Sequence, residues 1–280
     1  MAMPVHLTVW SSSENQAQVA CKAAFRRITA LESILSDYDE RSELMQVGQR
    51  AASGPISTSR ELTLILEKAK AQSEATHGAF DPTAGPVIRL WRTARENGQL
   101  PASERHAAAM KLLGTDKVLV DRANQTVELL VPGMSLDLGG IAKGFIGDEV
   151  MHVLRRHGLP NARYRAGGDI VLGDAPPGRD GWLVDLPQLP DLVLANCGVS
   201  VSGDTMQFVE IDGKRYSHVI DPRTGMGVTS RQMAVVVAPT GMESDALATA
   251  GCVMPRAEFE QLTIALRGVR AWIMDASDGE

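Results

Sequence analysis

The feature that most constrains the fold is a change in hydrophobic periodicity along the chain. Helical spacing predominates in the first 160 residues and predicts helices over 15–35, 59–76, 86–96, 103–113 and 141–157. Short strand-like runs stand at 5–10, 117–121 and 126–131, and predominate later at 170–172, 182–186, 192–195, 207–211, 215–220 and 233–238. Two more helices, 244–253 and 256–266, and a strand near 269–274 close the pattern. Because strands and helices do not alternate regularly, the sequence predicts an α+β fold with an antiparallel-rich sheet.

The 280 residues contain no internal repeat, low-complexity tract or clear linker, which predicts a single domain over 1–280. Hydrophobic residues make up 44% of the chain but aromatic residues only 4%, so the core must be mainly aliphatic. The formal charge of −6 argues against a nucleic-acid partner, because phosphate contacts need clustered Lys and Arg.

The three cysteines, Cys21, Cys197 and Cys252, are far apart and lack metal-ligand spacing, so we expect small buried side chains rather than a disulfide framework. No apolar run is long enough to predict a transmembrane segment. The first ten residues pass directly into a strand pattern without a basic stretch followed by an apolar one. This pattern predicts no signal peptide.

Residues 137–144, which read DLGGIAKG, form a loop-to-helix junction that suits a phosphate. Glycines allow a ligand to approach the backbone closely, and the first amides of a helix attract an anion. Lys143 lies about one turn beyond Gly140 and could reach the same anion. Asp137 could accept from a ribose hydroxyl or a ring NH, or bind a metal. A plain glycine turn followed by a surface lysine accounts for the same motif equally well.

Asp245 and Thr249 are four residues apart in a predicted helix, so their side-chain oxygens share one face. A carboxylate and a hydroxyl, with a backbone carbonyl nearby, form an oxygen-only set that suits Mg²⁺. The alternative is that Asp245 caps the helix and Thr249 bonds back within it.

Residues 217–225 read SHVIDPRTG, a strand that ends in a charged Asp-Pro turn. His218 is the candidate general base, because imidazole titrates near neutral pH and could accept a hydroxyl proton. A structural histidine is the competing interpretation. Two further glycine-containing loops, 78–86 and 165–169, present Asp81 and Asp169 and carry little weight alone.

These five segments, in this order, resemble the motifs of the ApbE family of FAD:protein FMN transferases, and the resemblance spans about residues 1–274. It implies contacts with FAD at Met1, Tyr38, Ala79, Phe80, Asp81, Asp137, Lys143 and Val219. It implies Mg²⁺ ligands at Gly140, Asp245, Ala248 and Thr249, and a catalytic base at His218. The chain departs from the family pattern at 1–3 (MAM), at 90–93 (LWRT) and at 201–204 (VSGD).

The resemblance implies an enzyme that transfers FMN from FAD to a Thr or Ser hydroxyl of a partner flavoprotein and releases AMP. Three alternatives use the same residues: an FAD pyrophosphatase with water as the nucleophile, a non-catalytic FAD carrier, and a structural protein that kept the fold. The resemblance also implies a place in the bacterial cell envelope, with a cytoplasmic location as the alternative.

Overall fold

A computed structural model of the protein describes residues 3–203 and 208–275. Its helices are α1 Glu14–Leu35, α2 Glu43–Gln49, α3 Arg60–Ala75, α4 Gly85–Asn97, α5 Ser103–Met110, α6 Ala142–Arg156, α7 Gly241–Gly251 and α8 Arg256–Ala265. Its strands are β1 Val5–Val9, β2 Ile56–Ser57, β3 Val118–Asp121, β4 Thr126–Leu129, β5 Ala162–Ala166, β6 Asp169–Leu172, β7 Trp182–Val184, β8 Leu192–Leu194, β9 Cys197–Ser202, β10 Phe208–Ile211, β11 Lys214–Ser217, β12 Ile220–Asp221, β13 Met226–Gly227, β14 Gln232–Ala238 and β15 Arg270–Asp275.

The main sheet has six strands in the order β1-β5-β6-β9-β14-β15, and every neighbouring pair is antiparallel. Small antiparallel units join β2 with β4 and β3, β7 with β8, β10 with β11, and β12 with β13. The α+β prediction with an antiparallel-rich sheet is therefore confirmed. Among the helices in the described ranges, none is long and apolar enough to span a membrane.

Helices α6 and α7 cover one face of the sheet and touch each other at two glycines. A side chain on Gly144 would place its Cβ 1.9 Å from the carbonyl oxygen of Gly241, and one on Gly241 would meet Val171 of the sheet at 2.4 Å. Only glycine permits this close approach. The contact brings the start of α6 next to α7, and both helices carry predicted site residues.

Local chemistry accounts for the ends of several elements. Ser13, Ser42, Ser59 and Thr240 cap α1, α2, α3 and α7 by accepting a backbone N–H bond. Strands β10 and β11 form a hairpin at Asp212-Gly213, because Ile211 pairs with Lys214 and both turn residues have positive φ.

One predicted strand was wrong in its extent. The run 215–220 is divided, since β11 ends at Ser217 and β12 begins at Ile220. The Ser217 hydroxyl accepts a bond from the Val219 amide at 3.0 Å, a local turn that places His218 in a bend. The sequence pattern also missed α2, β2, β5, β9 and β13, which are short or interrupted by arginine and glycine.

Candidate active site

The first feature of the site is a group that we call the lysine cluster: half-buried Lys143 and the buried Asp169 and Asp245. The Lys143 ammonium lies 3.1 Å from Asp245 Oδ1 and 3.3 Å from Asp169 Oδ2. It also donates to the carbonyl of Gly139 at 2.8 Å. Both aspartate side chains are only 5% exposed. One cation thus joins the start of α6, β6 and α7.

Charge and burial oppose each other in the lysine cluster. Burial, reinforced by the nearby Asp169 carboxylate, raises the pKa of Asp245 to about 7, although Lys143 and the Gly144 amide act in the other direction. Burial alone lowers the pKa of Lys143, but the two carboxylates outweigh it and hold that pKa above its usual value. The Gly144 amide donates to Asp245 Oδ2 at 3.1 Å. One amide in the first turn of α6, which the sequence suggested for a phosphate, therefore binds a protein carboxylate.

Gly140 and Thr249 stand together, as the resemblance implied for two metal ligands. A Cβ on Gly140 would lie 2.7 Å from the Thr249 hydroxyl oxygen, so this side chain packs directly on the glycine backbone. Asp245 lies one turn earlier on the same helix, which confirms the predicted i, i+4 relation. Carboxylate, hydroxyl and backbone carbonyl oxygens are ligands that a hard cation prefers, so these residues fit Mg²⁺. Ala248, at 1% exposure, offers only backbone atoms.

The second feature of the site is the arginine cluster: Arg92, Asp37 and Asp137. The guanidinium of Arg92 bonds to Asp37 and lies 3.1 Å from Asp137 Oδ2. Asp137 Oδ1 accepts the Gly139 amide at 2.8 Å, which joins this cluster to the glycine turn. Burial raises the pKa of Asp137 to about 7, and the adjacent Asp37 adds to the effect. Tyr38 lies over the guanidinium, with Arg92 Cζ 4.2 Å from the ring centroid.

The loop at 78–86 lies directly behind Asp137. The amide of Asp137 donates to the carbonyl of Pro82 at 2.8 Å. Asp81 turns back on its own loop, because its Oδ1 accepts from the amide and the hydroxyl of Thr83 at 2.7 and 2.6 Å. Burial raises the pKa of Asp81. Ala79 and Phe80 are almost fully buried in the main core, at 1% and 4% exposure, so their side chains support the loop.

The His218 segment is held in place by α4 and α5. The carbonyl of Gly225 accepts a bond from Trp91 Nε1 at 2.8 Å and lies 3.2 Å from His106 Nε2. Next to half-buried His218, Val219 packs against Cys252 at the end of α7. The Val219 amide and carbonyl both bond within the protein. The segment therefore borders α7, the helix that carries Asp245 and Thr249.

The structure brings all five sequence segments together, although the individual site assignments stay predictions. Met1 lies outside the described residues. Sequence reasoning missed Asp37 and gave Arg92 no role, although Arg92 stands where the chain departs from the family pattern. It quoted Asp169 in a glycine motif without assigning a function. Within 3–203 and 208–275, no three His, Cys, Asp or Glu side chains converge as a metal-ligand group.

The fold and the site define a class: a single α+β domain in which the glycine turn before α6 packs on the Asp245 and Thr249 face of α7, beside a lysine held by two buried aspartates and a charged turn. The ApbE family model matches residues 1–273, and the chain belongs to that family.

Named relatives agree with this assignment. The chain is 33% identical to an FAD:protein FMN transferase of Treponema pallidum over 85% of this chain and 72% of the relative. It is 31% identical to another of that name from Klebsiella pneumoniae over 86% and 75%. The crystal structure of an ApbE protein from Thermotoga maritima superposes with a TM-score of 0.86 at 27% identity, covering 98% of this chain and 94% of that one.

Proposed function

We propose that this protein transfers FMN from FAD to a Thr or Ser hydroxyl of an acceptor flavoprotein and releases AMP. In this proposal Mg²⁺ is held by Asp245, by the Thr249 hydroxyl and by backbone oxygen of Gly140 or Ala248. The observation that carries it is the packing of Thr249 on Gly140, one helical turn from Asp245. The names of the relatives in the family support the reaction.

The cation would neutralise the pyrophosphate of FAD and the charge that develops on it. The side chains divide the remaining work. Lys143 binds both Asp245 and Asp169 and so holds their carboxylates in place. Asp137 and Tyr38, which lie beside the glycine turn, would bind the nucleotide.

The proposed step is a phosphoryl-type displacement. The acceptor oxygen forms a bond to the FMN-side phosphorus, and the bond from that phosphorus to the bridging oxygen breaks. The electron pair leaves with the phosphate of AMP. His218, whose segment is anchored to Trp91 through Gly225, would take the proton of the acceptor hydroxyl.

The test is incubation with FAD, Mg²⁺ and a domain that carries a candidate acceptor threonine, with AMP release and intact acceptor mass as the two readouts. We expect the acceptor to gain the mass of one FMN, and EDTA to abolish the gain. Asp245→Asn and His218→Ala should each lower the rate by at least about 100-fold. The exposed residues Asp180 and His157 supply matched controls, Asp180→Asn and His157→Ala, which should keep the wild-type rate.

The same experiment separates the alternatives. AMP release without acceptor labelling, repeated over several acceptor domains, would indicate an FAD pyrophosphatase. FAD that stays bound and intact would indicate a carrier. Wild-type transfer by Asp245→Asn would remove the metal assignment. The cell-envelope location stays a proposal from the family resemblance, to be checked by fractionation.

A further inference from the structure

Tyr38 combines high exposure with a fixed ring. The residue is 77% exposed, yet one face of its ring rests on the Arg92 guanidinium, with Cζ 4.2 Å from the centroid. Its backbone is tied as well, because the Ser36 hydroxyl accepts from the amides of Tyr38 and Asp39 at 3.2 Å each. An aromatic side chain held on one face and open on the other is suited to stack on a planar ligand.

Arg92 is itself held firmly. Its guanidinium is bonded to Asp37 and to Asp137, its side chain is only 24% exposed, and it comes from the middle of α4. The preceding residue, Trp91, anchors the turn that follows His218. Helix α4 therefore connects the ring of Tyr38 to both the glycine turn and the His218 segment.

The family resemblance already implies that Tyr38 contacts FAD. We propose that Arg92 is a positioning residue that holds the ring of Tyr38 in place for stacking on the isoalloxazine ring of the donor flavin. This inference rests on the proposed function, because it assumes that FAD binds at this site. FAD contains two planar ring systems, and isoalloxazine is the larger and the more electron-poor. It therefore gains more than adenine from stacking on the electron-rich face of a tyrosine.

The chemistry of arginine decides which variant tests the idea. A planar guanidinium stacks on an aromatic ring and bonds to two carboxylates, whereas an ammonium does not present a flat face. Arg92→Lys keeps a cation between Asp37 and Asp137 but removes the surface under Tyr38. If Arg92 served only as an ion-pair partner, the lysine would restore wild-type binding.

The experiment compares two probes, FAD and ADP-ribose, which share adenosine and pyrophosphate but differ in the isoalloxazine ring. Dissociation constants are measured with Mg²⁺ and, in a parallel series that prevents turnover, with EDTA. Arg92→Lys, Arg92→Met and Tyr38→Leu should each weaken FAD binding by about tenfold and ADP-ribose binding by less than about twofold. Arg41→Met is the matched control, because Arg41 bonds to Asp39 in the same loop and leaves Tyr38 untouched.

A double-mutant cycle then shows whether Arg92 acts through Tyr38. In the Tyr38→Leu background, Arg92→Met should weaken FAD binding no further, because the ring that Arg92 holds is gone. Additive losses, equal losses for FAD and ADP-ribose, or full rescue by Arg92→Lys would each overturn the inference while leaving the proposed transfer intact. A wild-type protein that binds no FAD in either series would remove the proposed function and this inference together.

Discussion

Two cations in this molecule are each held between two aspartates, and their surroundings differ. In the lysine cluster, Lys143 is enclosed by α6, β6 and α7, and its two carboxylates are 5% exposed. In the arginine cluster, Arg92 is about as exposed as Lys143, at 24% against 22%, but its carboxylates Asp37 and Asp137 are more exposed, at 16% and 11%, and an aromatic ring covers the guanidinium. The compact ammonium suits a closed junction, while the flat guanidinium can also support a neighbouring ring. A cation between two aspartates thus joins α6, β6 and α7 in the lysine cluster, whereas in the arginine cluster it also supports the exposed ring of Tyr38.

The largest expected effect is the loss of the cation of the lysine cluster. Lys143→Met leaves Asp169 and Asp245 buried together without their cation, and we expect the free energy of unfolding to fall by about 3–5 kcal/mol near pH 8. The loss should shrink at lower pH, because Asp245, whose pKa burial already raises to about 7, can then take up a proton in the folded state. Urea unfolding at about pH 5 and about pH 8 measures both effects.

Lys143→Arg is the control, since it keeps a cation at this position. An equally large loss for Lys143→Met at both pH values would mean that packing, rather than charge, makes this lysine necessary.

The next largest effect concerns the helix that carries the predicted metal ligands. Asp148 accepts from the first two amides of α7, Gly241 and Met242, at 2.8 and 2.9 Å. Asp148→Ala removes both bonds, so we expect the free energy of unfolding to fall by about 1–2 kcal/mol. Glu149→Ala, at the neighbouring position of α6, is the comparison, because Glu149 binds Arg27 instead of α7.

Thermal unfolding and Mg²⁺ binding are measured on the same samples. Weaker Mg²⁺ binding in Asp148→Ala but not in Glu149→Ala would show that this capping bond places the ligands of α7. Equal Mg²⁺ affinity in the two variants would show that α7 is positioned without it.

At the arginine cluster, removal of a carboxylate should make the protein more stable at high pH, whereas removal of the lysine should make it less stable. The pKa of Asp137 is raised from 3.8 to about 7 in the folded protein. The folded state therefore binds this proton more tightly than the unfolded state, and the contribution to stability is lost as the pH rises from about 4 through about 7. Asn has no proton to lose, so Asp137→Asn should be more stable than the wild type by about 1 kcal/mol at about pH 8, with little difference near pH 4.

Unfolding in urea across that pH range is the measurement, and the quantity to follow is the difference between variant and wild type. A difference that stays constant with pH would contradict the raised pKa. We also expect Asp137→Asn to bind FAD more weakly, since a destabilising charge is often retained for function.

The two clusters also show how far the sequence alone leads. The residues of the lysine cluster lie within motif segments of the sequence, so Lys143 and Asp245 were identifiable as site residues, and helical spacing placed Thr249 on the same face as Asp245. The sequence could not show that the Lys143 ammonium faces Asp245, because that contact depends on the close approach of α6 and α7 at Gly144 and Gly241.

The arginine cluster was harder to foresee. Asp37, Arg92 and Asp137 come from a loop, a helix and a glycine turn, and their sequence separations of 55 and 45 residues follow no period. Arg92 was visible only as a departure from a family pattern. The bend at His218 was missed for a related reason, since a single Ser217 hydroxyl bond interrupts an otherwise strand-like run.

The smallest expected effect comes from an exposed ion pair that has no second carboxylate. Arg122 and Glu67 are 3.4 Å apart, and their side chains are 51% and 48% exposed. Water already solvates both groups, so Arg122→Met should change the free energy of unfolding by less than about 0.5 kcal/mol and leave FAD binding unchanged. Arg92→Met, measured alongside, should cost more, since it leaves two shielded carboxylates without their cation. Equal losses of unfolding free energy in the two variants would mean that solvent screens the arginine cluster as well as it screens the surface pair. The larger effect expected at the lysine cluster would then come only from the deeper burial of its carboxylates.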